Sequence, residues 1–246
     1  MQSLTAVRPN SRTSGGLVAD RSALLLGALA LLSMAAALYA GLVYAPTERI
    51  QGNVQRIFYF HVPLAWASYL AFFVVLVASC AYLIRRNRFW DALARSSAEV
   101  GLLYTTLMLI SGSLWARPIW GTWWSWDARL TTTLLLWFIY VGYLMLRSSV
   151  QDEEKGARYA AVIGIVGAID IPIIHQSVVW WRSLHPESVV LASGGPAMPT
   201  SMLTALIVSL VAFTILYGVL VLFRLRLEML RQDIRALRRQ QLELAA

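Results

Sequence analysis

The sequence predicts an all-α membrane protein that crosses the bilayer six times, with both termini on the cytoplasmic side. Three observations support this prediction. Hydrophobic residues make up 58% of the 246 residues and charged residues only 14%, whereas soluble proteins average about a quarter charged residues. The hydrophobic residues form six long runs. Lysine and arginine gather at alternate ends of these runs, as they do in the cytoplasmic loops of membrane proteins.

Each run is close to the roughly 20 residues that a helix needs to cross about 30 Å of hydrocarbon. Helices are expected because backbone in lipid must satisfy its own hydrogen bonds, and no alternating pattern indicates a barrel. The first run follows a polar leader, residues 1–21, and no cleavage site follows it, so we expect it to be retained. The membrane domain is predicted to cover 22–224, with spans at 23–45, 62–84, 98–116, 130–146, 159–179 and 202–223.

The distribution of positive charge predicts the orientation. With a cytoplasmic N-terminus, 16 of the 21 lysines and arginines face the inside. These residues sit in short groups beside apolar runs, as expected where cytoplasmic loops meet an anionic membrane surface. The net charge of +8 is therefore attributed to the membrane and not to a nucleic-acid partner. The basic amphipathic tail, 225–246, suits a helix that lies on the membrane or docks on a partner. The five outer residues are Arg49, Arg56, Arg117, Arg129 and Arg182.

The second outer loop, about 115–129, holds an unusual concentration of tryptophan. Five of the ten tryptophans of the chain fall between Trp115 and Trp126, around Pro118 and Gly121. Tryptophan is enriched at membrane interfaces, so a plain aromatic belt is one interpretation. Because large aromatic rings stack on other π-systems, this density favours a platform for a flat apolar ligand.

All three histidines, His61, His175 and His185, map to the outer half. Imidazole is a common axial ligand of heme iron. The propionates of heme need cations, which the outer arginines could supply. The single cysteine, Cys80, excludes a CxxCH attachment motif, so any heme is held non-covalently or passed on.

The segment from Trp120 to Asp127, WGTWWSWD, resembles the tryptophan-rich WWD motif of heme-handling proteins in cytochrome c biogenesis. Length, span number, the flanking histidines and the segment 172–181 are similar to the CcmC family; the related CcmF and CcsA families differ in size and span number. The resemblance covers about Arg21 to Phe223. It implies His61 and His185 as axial ligands of heme iron, with Arg56 and Arg129 matching the family's arginines. The heme platform would comprise Trp120, Trp123, Trp124, Trp126 and Asp127.

The resemblance further implies a function. The chain would hold heme b, iron protoporphyrin IX, without a covalent bond on the periplasmic face of the bacterial inner membrane. It would present this heme to the chaperone CcmE for cytochrome c maturation, in a complex with CcmD and the ATPase-type subunits CcmA and CcmB. The sequence has no Walker motif of its own, so ATP dependence would come from a partner. We therefore expect a heme-transfer protein and not an enzyme, although assistance to covalent attachment on CcmE is compatible with this role.

Several alternatives stay open at this level. Strict transport of heme across the bilayer is disfavoured because few ionisable residues interrupt the spans, and a b-type oxidoreductase is disfavoured because no inner histidine pair exists. Asp127 could cap the fourth helix, pair with Arg129 or orient a histidine, and we favour a structural role. Asp170, inside the fifth span, could anchor His175 or Arg182.

Overall fold

The computed structural model describes residues 13–181, 183–185 and 198–245, and its regular structure is helical. Apart from one isolated bridge between Glu48 and Gly52, the described part of the chain contains no β-structure. Six helices are long and apolar enough to cross a membrane, which confirms the predicted all-α, six-span fold. They are α1 (Thr13–Tyr39), α2 (Phe58–Arg85), α3 (Arg88–Trp120), α4 (Ala128–Ser149), α5 (Glu153–Trp180) and α6 (Thr200–Ala245).

Short connections make successive helices antiparallel, so their ends collect at two opposite faces. Only residues 86–87 join α2 to α3, and only 150–152 join α4 to α5. At one face lie the starts of α2 and α4 and the ends of α3 and α5. We call this face the histidine end and the opposite face the basic end. A π-helical turn, Ala40–Tyr44, finishes α1 at the histidine end, and a 3-10 turn, Asn53–Ile57, leads into α2.

Helix α2 lies at the centre of the bundle and contacts α3, α5 and α6. The ring of Phe72 on α2 stacks on Tyr140 of α4 with 3.8 Å between centroids. On α3, a Cβ added at Gly101 would lie 2.8 Å from the Phe72 ring, so the missing side chain lets α2 and α3 approach closely. This packing fixes the spacing between α2 and α3, and therefore between their ends at the histidine end.

Helix α3 begins ten residues before its predicted span because charged residues at the basic end find partners. Arg95 pairs with Glu99, one turn further along the same helix, at 3.5 Å. Arg147 of α4 pairs with Asp91 at 2.7 Å. The side chain of Asn87 caps the helix by accepting a hydrogen bond from the Phe89 amide at 2.9 Å.

Helix α6 continues without a break from the sixth predicted span into the basic tail. Glu228, 2% exposed, accepts from Arg95 of α3 and from Arg235, both at 3.0 Å. Arg235 also pairs with Glu153 at the start of α5, at 3.1 Å. The first turns of the tail therefore pack on this chain's own helices, while Leu230 and Leu237 stay exposed.

Candidate functional site

His61 lies in the first turns of α2, facing the end of α3. Its Nδ1 is 3.0 Å from the Oγ atom of Ser111. Its ring meets Trp115 edge to face, with 5.8 Å between centroids. Trp115 is held in turn, because its indole N–H donates to Gln51 Oε1 at 3.0 Å. The imidazole is therefore enclosed on the α3 side by a polar contact and an aromatic ring.

His185 belongs to the connection between α5 and α6, and its backbone N–H donates to Ser183 Oγ at 3.0 Å. Its ring lies edge-on to Trp120 at a centroid distance of 5.1 Å. The Nδ1 atom is buried and has no hydrogen-bond partner among the described residues. Burial, helped by the charge of Arg129 and opposed by that of Asp127, lowers the pKa of His185 from 6.5 to about 4. The imidazole is thus neutral at physiological pH, which is the form that binds metals.

Asp127 connects the tryptophan loop to the loop that carries His185. Its Oδ1 accepts from the Leu130 amide at 2.9 Å and caps α4, which confirms the capping role expected from the sequence. Its Oδ2 accepts from the Ser183 hydroxyl at 3.1 Å. Because Ser183 also holds the backbone of His185, the carboxylate of Asp127 restrains that histidine through one intervening residue.

The rings of His61 and His185 contact Trp115 and Trp120, which lie five residues apart at the end of α3, so the end of this helix brings the two histidines to the same side of the bundle. Arg129 lies in the first turn of α4, close to the cap residue Asp127 that bonds to the loop of His185. One guanidinium nitrogen donates to the carbonyl of His175 at 3.2 Å. Its Nε atom is buried without a partner in the described structure. The guanidinium therefore retains capacity to bind an anion.

The tryptophans of the motif divide between a helix and a loop. Trp120 is the last residue of α3, which ends at Gly121 with a positive φ of 76°. The loop residues Trp124 and Trp126 pack edge to face at 5.6 Å. Trp123 and Trp126 are 56% and 76% exposed. The loop thus presents indole surface outward while Trp120 faces His185.

Two other predicted residues, Arg56 and His175, make no side-chain contact with His61 or His185 in the described structure. Arg56 donates to the Gly41 carbonyl at 2.9 Å and contacts Asn53 at 3.4 Å, so it braces the end of α1. The side chain of His175 is exposed, and it makes no hydrogen bond to Asp170, whose buried Oδ2 has no partner in the described structure. Arg182 lies outside the described residues.

The sequence did not single out Ser111, Gly112 or Ser183, which contact or hold the histidines. A Cβ added at Gly112 would lie 3.0 Å from the Cε1 atom of His61. Ser111 and Gly112 look like ordinary small residues in an apolar run, and Ser183 like an ordinary loop serine. Only the packing of α3 against α2, and of the loops on each other, identifies them.

In chemical terms the cluster combines two imidazoles, a guanidinium with free donors and exposed indole rings. Two imidazoles can fill the two axial positions of a porphyrin iron, a guanidinium can bind a propionate, and indoles can stack on the macrocycle. The orphaned Nδ1 of His185 and Nε of Arg129 are polar atoms for which the folded chain supplies no partner among its described residues. The residues present therefore fit a heme group.

Comparison with known proteins gives a consistent result. The family model named Heme exporter protein C matches residues 10–240. Heme exporter protein C of Bradyrhizobium diazoefficiens is 41% identical over 216 residues, which cover 88% of this chain and 82% of the relative. That of Haemophilus influenzae is 37% identical over 205 residues, covering 83% of each chain. That of Escherichia coli K12 is 36% identical over 186 residues, covering 76% of this chain and 75% of the relative. On the family match and these identities, the chain belongs to the heme exporter protein C family.

Proposed function

We propose that this protein binds heme b non-covalently at the periplasmic face of the bacterial inner membrane and presents it to the heme chaperone CcmE for cytochrome c maturation. The proposal rests on one observation above all. His61 and His185, from opposite sides of the tryptophan motif, contact Trp115 and Trp120, which lie five residues apart at the end of α3. The family name supports heme as the ligand. The name of a matched ccmC-like mitochondrial protein of Marchantia polymorpha, at 35% identity, refers to cytochrome c biosynthesis.

In this proposal each group has a separate task. Heme, when bound, would supply an iron whose two axial positions accept imidazole nitrogens. His61 and His185 provide those nitrogens, Arg129 neutralises a propionate, and Asp127 keeps the loop of His185 in place. Trp120 and Trp124 cover the ligand against water. Arg56 contacts Asn53 and the Gly41 carbonyl and no histidine in the described structure. We therefore assign it to a propionate only through the resemblance.

The exposed indoles support presentation in preference to storage. Trp123 and Trp126 leave more than half of their surface uncovered, and large exposed aromatic groups are typical of binding surfaces. We propose that CcmE docks on this surface and receives the heme there. By membership of the family we also propose a complex with CcmD, CcmA and CcmB, and we assign the chain no catalytic role of its own.

The positive-inside distribution supports a periplasmic histidine end, with the basic end in the cytoplasm. Transport of heme across the bilayer is a second candidate because the family carries the name exporter. Against it, Arg95, Arg147 and Arg224 at the basic end are paired with Glu228, Asp91 and Glu99. These pairs leave less capacity to receive a propionate there. Vesicles that enclose apomyoglobin would distinguish the two functions, because export would deliver heme to the enclosed reporter.

The proposed function is tested by the visible spectrum of the detergent-purified protein, alone and co-expressed with CcmE. We expect six-coordinate, low-spin heme in the wild type. His61→Ala and His185→Ala should each lose six-coordination, since each removes an axial nitrogen. Added imidazole should restore it if the variants fold.

His175→Ala is the matched control, because this histidine shares the same end of the bundle but its side chain is exposed. It should keep the wild-type spectrum. Heme with an unchanged six-coordinate spectrum in both His61→Ala and His185→Ala would refute the axial pair. A wild type that binds no heme, with or without CcmE, would refute the function.

A further inference from the structure

We infer that Ser111 and Gly112 of α3 fix the tautomer and the position of His61, so that its Nε2 is the nitrogen offered to iron. This inference rests on the proposed function. It concerns two positioning residues, which act through their contacts with His61.

The hydrogen bonds of Ser111 set the direction of the proton. Its hydroxyl donates to the backbone carbonyl of Met108 at 3.1 Å, and a carbonyl can only accept. A serine has one proton, and with that proton directed to the carbonyl its Oγ accepts the remaining contact, from His61 Nδ1 at 3.0 Å. In this arrangement Nδ1 is the protonated nitrogen of the neutral ring. Nε2 then carries the free lone pair that a metal needs.

The imidazole thus meets, on its Nδ1 side, a hydroxyl oxygen whose proton is directed to Met108. The opposite tautomer would place a lone pair against that oxygen. Partners of this kind, which bind the far nitrogen of a metal-ligating histidine, fix its orientation and raise its basicity.

Gly112 fixes the position of the ring. A Cβ at this residue would lie 3.0 Å from Cε1, 3.6 Å from Nδ1 and 3.8 Å from Nε2 of His61. The imidazole therefore packs directly against the backbone of α3, and any side chain here would push it away. On the next turn, Trp115 contacts the same ring at 5.8 Å. Together these contacts hold His61 from the α3 side.

The other histidine of the pair lacks such support. His185 lies on a loop, and its buried Nδ1 has no partner among the described residues. The control of tautomer by a serine is therefore specific to His61. It also predicts that the two axial positions respond differently to substitutions behind them.

The tautomer can be measured in the heme-free protein. With only three histidines in the chain, ¹⁵N-histidine labelling gives a ring spectrum that His61→Ala, His175→Ala and His185→Ala assign. We expect His61 to be protonated at Nδ1 in the wild type and to become a mixture of tautomers in Ser111→Ala. Ser111→Thr keeps the hydroxyl and should restore the wild-type form.

Ser113→Ala is the matched control, because Ser113 donates to the Leu109 carbonyl at 3.0 Å on the same helix and contacts no histidine in the described structure. It should leave the His61 signals unchanged. Protonation of His61 at Nε2 in the wild type would overturn the inference. So would a Ser111→Ala spectrum identical to that of the wild type.

Heme binding provides the second test. We expect Ser111→Ala and Gly112→Ala to weaken heme binding about 10- to 100-fold, the usual effect of removing support behind a ligating histidine. Ser111→Ala should also raise the midpoint potential, because a less basic imidazole stabilises ferric iron less. Gly142→Ala, at a position with open space around it, is the control for a glycine substitution in a membrane helix.

The two proposals fail in different ways. If His61→Ala retains wild-type heme, the proposed function is wrong while the tautomer of the heme-free protein can still match the expectation. If His61→Ala loses heme but Ser111→Ala and Gly112→Ala match their controls in tautomer, affinity and potential, only the positioning role is wrong.

Discussion

The double role of Asp127 can be separated by a double-mutant cycle with Ser183. One oxygen of the Asp127 carboxylate caps α4 at Leu130, and the other accepts the Ser183 hydroxyl, whose oxygen holds the backbone of His185. Asp127→Ser keeps a capping oxygen but is too short to reach Ser183. Ser183→Ala removes the same contact from the opposite side and leaves the cap intact.

The structure sets the expected magnitudes. A hydrogen bond to a charged group contributes about 1.5–3 kcal/mol, whereas loss of a helix N-cap costs about 1 kcal/mol. If the Ser183 contact is needed to place His185, its loss should weaken heme binding by about 2 kcal/mol, or about 30-fold in Kd. Asp127→Ser and Ser183→Ala should each show this effect. The double variant should be no weaker than either, because both substitutions remove one interaction.

The assay is a heme titration of the detergent-solubilised protein, followed by absorbance. Ser148→Ala serves as the control, because Ser148 bonds only to the Met145 carbonyl at the basic end of α4 in the described structure. Two independent, additive effects would show that Asp127 and Ser183 do not act through their mutual contact. Wild-type affinity in Ser183→Ala would show that this contact does not position His185 for heme.

Three further results are expected. Arg129→Ala should weaken heme binding at least 10-fold and Arg129→Lys should recover only part of it in the same titration, since an ammonium lacks the paired donors of a guanidinium. Because burial lowers the pKa of His185 from 6.5 to about 4, the unfolded chain binds more protons between these values. The free energy of unfolding of the heme-free protein should therefore fall as the pH falls through this window, a dependence that His185→Ala should reduce. Glu228→Ala removes the carboxylate that Arg95 and Arg235 share, while Glu99 and Glu153 still pair with these arginines, so it should destabilise the protein by about 1.5–3 kcal/mol in thermal unfolding. Exposed Glu243→Ala should not, and equal losses in the two variants would contradict the role of the buried pairing.

The sequence predicts the number and type of the membrane helices because apolar runs of sufficient length are a local property. It does not predict where α3 begins or that α6 continues to Ala245. Both depend on ion pairs between distant residues, such as Arg147 with Asp91 and Arg235 with Glu153. In the sequence, a charged residue marks the end of a predicted span. In the folded protein, the same residue can continue the helix when it is paired with an opposite charge.

The candidate site also contains residues that the sequence identifies and residues that only the fold identifies. The tryptophan motif and the histidines can be read directly, because their residue types are rare and their spacing is local. Ser183 and Ser111 are common residues whose importance comes from what they touch after folding. Arg56 illustrates the converse, since motif matching places it with the ligands while the fold directs it to the Gly41 carbonyl.

Helix α6 has a mechanical consequence for the membrane domain. At about 1.5 Å per residue, its 46 residues form a rod of about 69 Å. The rod starts at Thr200, on the same face as the histidines, and is clamped beyond the other face by Glu228. Because the helix is continuous from Thr200 past Glu228, a displacement of the segment beyond Glu228 acts first on the salt bridges of this residue and, through the same helix, on the end that carries Thr200.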